Sequence, residues 1–124
     1  MRTLLRLAIL SLVLGAPARA AEDVEVGLGP ICDTQKQAER LAALYRDDAH
    51  SAIQTVNAEE HDPSACGVAN VAYIRSERIT MVRTDQGTFE IARVLVVGVV
   101  TRAGLRPTKP LVYYSFFPID ERGA

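Results

Sequence analysis

The chain has 124 residues, 48% of them hydrophobic and 6% aromatic, with 14 Lys and Arg against 15 Asp and Glu. That length holds one compact domain with a modest core. A slightly acidic balance with no basic cluster argues against a nucleic-acid partner.

Residues 1–20, MRTLLRLAILSLVLGAPARA, read as a secretory signal peptide. Arg2 and Arg6 make the positive start, and LAILSLVLGA is too short to span a bilayer. Pro17 breaks the run, and Ala18 and Ala20 put small residues where a signal peptidase reads. Cleavage is expected after Ala20, and no lipid-attachment pattern precedes Cys32. The expected destination is the periplasm or the exterior, since both routes use this leader. No later segment reads as transmembrane, because IARVLVVGVV (91–100) is short and carries Arg93.

Beyond the leader, 11 basic residues stand against 15 acidic ones, a net charge of −4. Residues 21–66 hold ten acids and three bases, whereas 67–124 hold eight bases and five acids. The two halves therefore differ in sign.

AEDVEVGLGP (21–30) reads as a flexible lead-in, with Val24 and Val26 as material for at most a short edge strand. Thr34 and Gln37 stand at capping-box spacing. Apolar residues then recur at Ala38, Leu41, Ala42, Tyr45, Ala49, Ala52, Ile53 and Val56, a period near 3.6. The spacing predicts helix over about 34–58, in one piece or broken at Asp47-Asp48, which are poorer helix formers. GVANVAYIR (67–75) and RITMV (78–82) read as two strands, and RTDQGT (83–88) as a turn around Gly87. TFEIARVLVVGVVT (88–101) is β-branched and apolar on both faces, the mark of a central strand. RAGLRPTKP turns the chain, LVYYSFF (111–117) closes the sheet, and 119–124 form a polar tail. The expectation is an α+β domain over 31–118: one long or two short N-terminal helices on an antiparallel sheet of about four strands, with one disulfide.

Cys32 and Cys66 are the only cysteines. An exported chain with two cysteines most often joins them. Cys32 at the helix start and Cys66 at the first strand would then pin helices to sheet. A metal site with His50 and His61, or a reactive thiol, are the alternatives, although the spacing matches no finger, ribbon or C-x-x-C.

PICDTQKQAERLAALY, then AIQTVNAEEHDPSACGVANVAYIR, then a valine-rich strand and an aromatic closing strand resemble a group of small exported alphaproteobacterial proteins of unknown function. The likeness covers most of residues 29–118. It implies export and a shared small fold with two cysteines, and it carries over no catalytic residue.

The densest polar cluster is NAEEHD (57–62). A small metal-binding protein or hydrolase would use His50, Glu59, Glu60, His61 and Asp62. Consecutive side chains on a helix point in different directions, however, so a solvated helix end is the plainer reading. G-x-S-x-G, G-x-G-x-x-G and H-E-x-x-H are all absent, so no catalytic residue, cofactor or metal is assigned. Tyr113, Tyr114, Phe116 and Phe117 are candidate partner-binding residues. Alternation puts Tyr114 and Phe116 on one face and Tyr113 and Phe117 on the other. Arg75, Arg78, Arg83, Arg93, Arg102 and Arg106 are material for an anion-contacting rim, but they form no single stripe. The expected function is a non-catalytic exported module that binds a protein or envelope component through its sheet.

Overall fold

In the computed structural model, residues 23–119 are described, so the leader and the tail from 120 lie outside the described residues. The elements run β1 (Val24–Cys32), α1 (Gln35–Leu44), α2 (Ala49–Glu60), β2 (Cys66–Thr84), β3 (Gly87–Thr101) and β4 (Gly104–Pro118). Among these residues the fold is α+β, with two helices and four antiparallel strands.

The helices are not N-terminal, as the sequence had implied, because strand β1 precedes them. The segment read as a flexible lead-in is that strand, paired with β2 from Val24–Ile74 to Cys32–Cys66. Gly27, Gly29 and Pro30 obscure its pattern. Its order comes from a partner far along the chain, since β2 offers nine residues of edge to it.

Each helix starts where its capping chemistry lies. The Gln37 N–H donates to Thr34 Oγ1 and the Thr34 N–H donates to Gln37 Oε1, a reciprocal capping box. Tyr45 is extended and ends α1, and Asp48 caps α2 by accepting from the His50 N–H at 2.9 Å. The helical stretch thus breaks at Asp47-Asp48. His61, at φ 53°, takes the left-handed conformation that ends α2.

One face of the sheet carries the helices. Leu41, Ala42, Ile53 and Val56 pack there against Phe89, Ile91 and Phe116, with Cys32 and Cys66 in the same cluster. Tyr45 meets Phe89 edge-on at 5.9 Å, and Phe89 meets Phe116 edge-on at 5.2 Å. The opposite face buries a second cluster of Val71, Val94 and Val96, with Tyr73, Tyr113 and Phe117 against it. The aromatic alternation of β4 is as expected: Tyr114 and Phe116 lie with the helices, Tyr113 and Phe117 away from them.

β3 lies between β2 and β4, which explains its two apolar faces. The two strands expected over 67–82 are one 19-residue strand, β2, with register shifts around Arg75 and Arg78 that interrupt the alternation. RAGLRPTKP is mostly strand, because β4 begins at Gly104 directly after a tight turn. The sheet closes on itself through a single β1–β4 pair, Cys32–Tyr114, beside which the Ser115 hydroxyl donates to the Pro30 carbonyl.

Cys32 and Cys66 are disulfide-bonded. The bond joins two paired strands rather than a helix and the sheet, because Cys32 ends β1. Among the described residues no helix is long and apolar enough to cross a membrane.

Candidate functional site

The sheet face turned from the helices holds a cavity of about 160 Å³. It opens where β1 and β4 part company, beyond their single pair. Gly27 to Ile31 form one wall, Ala69, Val71, Tyr73 and Val94 the floor, and Ser115 to Phe117 the other wall. Two glycines make the room: a Cβ added at Gly27 or Gly29 would meet no heavy atom within 4 Å. The space matches the roughly 150 Å³ apolar cavity that admits one benzene ring.

Among the described residues, the β1 edge beside the cavity is unpaired except at Cys32. The Pro30 carbonyl faces this gap, as its bond from Ser115 shows. By strand alternation the main-chain groups of Leu28, Val26 and Val24 face the same way. Their side chains stand exposed, 72% at Leu28 and 59% at Val26. Edge strands are commonly protected by lysine, by proline along their length or by a bulge. This one has none of these before Pro30, and its one charged side chain, Glu25, is engaged by Arg75 at 3.1 Å.

A charged cluster adjoins two of the cavity's aromatic rings. The guanidinium of Arg75 lies 3.7 Å from the centre of the Phe117 ring, which stacks on Tyr73 at 6.3 Å. Arg75 pairs with Glu25 at 3.1 Å and with Glu90 at 3.2 Å, and Glu90 also pairs with Arg78 at 3.3 Å. Tyr73 donates a long bond of 3.4 Å to Glu25. Burial works against the charge on Arg75, yet the Glu25 carboxylate and the Tyr73 hydroxyl hold its guanidinium above the ordinary arginine value. Two cations and two anions neutralise one another here, so Arg75 and Arg78 are committed internally rather than offered to an anion.

The residues named for a metal or hydrolytic site are placed apart. Glu59 forms a two-bond fork with Arg40, and that hydrogen bonding holds its carboxyl below the usual range. Glu60 accepts from Gln37 at 2.9 Å, and Asp62 accepts from the Ser64 N–H and hydroxyl. His61 ends its helix, and His50 stands at the first turn of the same helix. Among the described residues no three His, Cys, Asp or Glu side chains gather as metal ligands. Neither cysteine is a free thiol.

Tyr113 and Phe117 belong to the cavity face, whereas Tyr114 and Phe116 pack with the helices. Gly27, Gly29 and Leu28 were not singled out from sequence. Their alternation with Val24 and Val26 was the available signal. Asn57 was also missed: its side chain donates to the Pro63 and Cys66 carbonyls and accepts from the Cys66 N–H, fastening α2 to the start of β2.

Compared with family models, with curated proteins and with solved structures, the chain finds no match.

Proposed function

We propose that this chain is a non-catalytic exported binding module, periplasmic or secreted, that engages a protein or envelope component through the sheet face away from the helices. The observation that carries this reading is the apolar cavity lying beside a strand edge that is open among the described residues. An extended segment added along β1 would use main-chain hydrogen bonds for affinity and set one apolar side chain into the cavity. Export is supported by the leader pattern and by a disulfide, a bond that persists in oxidising compartments.

The experiment places a photo-crosslinking residue at Leu28 in cells that express the full chain. A discrete adduct is expected, and it should vanish when Gly29→Val fills the cavity. Glycine is entropically costly within a strand, so this change should leave the melting temperature level or raise it. An adduct equally strong in the filled variant, or none with the parent chain, would defeat the proposal.

A further inference from the structure

A second surface, distinct from the cavity, has a composition of its own. From Ile91 to Ile119 the chain holds Arg93, Arg102, Arg106 and Lys109 and no Asp or Glu. Residues 101–112 are all exposed. They form the β3–β4 turn and the first half of β4, which pairs with β3 alone, down to Thr101–Gly104. Among the described residues Arg102, Arg106 and Lys109 form no ion pair. Between and beside them stand Leu105, Leu111 and Val112, exposed by 55%, 51% and 50%.

Two features narrow what this arm meets. Pro107 and Pro110 remove two main-chain donors from its free edge, which works against adding a strand from a peptide or a second copy. Cations unpaired among the described residues, set beside exposed aliphatic side chains, instead suit the boundary between lipid headgroups and acyl chains. The charge layout agrees. The loop between the helices lies at the far end of β3 from Thr101, where Arg46 pairs at 3.7 Å with Asp85 of the β2–β3 turn, and it brings Asp47 and Asp48 with it. A negative field would therefore draw the arm in.

We infer that the β3–β4 arm docks on an anionic phospholipid bilayer. Arg102, Arg106 and Lys109 meet the phosphates, while Leu105 and Leu111 enter the headgroup boundary. Charge complementarity selects anionic over zwitterionic lipid.

The test floats residues 21–124, which retain both cores and the disulfide, with vesicles of phosphatidylcholine alone or mixed with phosphatidylglycerol. Binding is expected to the mixed vesicles only, weakening as salt is added. Arg102→Gln, Arg106→Gln and Lys109→Gln together should weaken it about a hundredfold, at the strength each base contributes near such a surface. Leu105→Ser with Leu111→Ser should weaken it too, with charge unchanged. All five sites are exposed, and an unaltered melting temperature confirms the fold. No binding to mixed vesicles, equal binding to both lipids, or full binding by the glutamine variant each overturns the inference. Full binding by the serine variant also overturns it, since a contact made by charge alone fits an acidic macromolecule better than a bilayer.

Discussion

At Arg75 one guanidinium serves Glu25, Glu90 and the Phe117 ring together. A planar fork does this, and a lysine ammonium cannot reproduce it. The side chain is 31% exposed and Glu90 19%, so solvent screening discounts the pairs without removing them. Arg75→Lys should therefore cost about 1–2 kcal/mol, read as a lower urea midpoint at unchanged slope. A shift within a few tenths of a kcal/mol would show the network to be ornamental. None of this was legible in the linear chain, because Glu25 and Glu90 lie 50 and 15 residues from Arg75. The alternation of Tyr113, Tyr114, Phe116 and Phe117 was legible, because a strand's period of two acts locally. The polar run 57–62 was legible as a helix end for a similar reason: Asn57 and His61 engage neighbours a few residues away.

At the scale of elements, the disulfide closes the loop that contains both helices, with 34 residues of sequence separation. The loop-entropy relation gives such a bond roughly 3–4 kcal/mol. Replacing Cys32 or Cys66 with Ser should lower the melting temperature by at least about 10 °C, on the usual 4–8 °C per kcal/mol for a domain of this size. Unchanged melting under oxidising conditions would mean that the β1–β2 ladder holds without it. The helical region was readable from its own residues, though not whether it forms one helix or two, since caps and apolar period are short-range. Strand β1 was not. Its glycines and proline read as a loop, and nine residues of pairing with β2 override that local preference. The register shifts of β2 misled in the other direction, making one strand read as two.

At the scale of the molecule, residues 21–66 are acidic and residues 67–124 more basic, and the two segments meet along β1 and β2, where Glu25 pairs with Arg75. The leader predicts a chain that starts at residue 21 outside the cytoplasm. Intact mass of the exported protein should show the loss of residues 1–20 and no thiol open to alkylation before reduction. Retention of the leader, or two alkyl adducts on the native protein, would contradict that prediction. Composition, periodicity and capping left one helix or two open, but sufficed for the α+β class, the central place of β3 and the pairing of the only two cysteines. Each of these rests on residues close in sequence or on a choice with one solution. The place of β1, the closure at Cys32–Tyr114 and the cavity over Gly27 and Gly29 came from the tertiary structure alone. They depend on which distant edges meet, and glycine, having no side chain, gives no sign in sequence of the space it leaves.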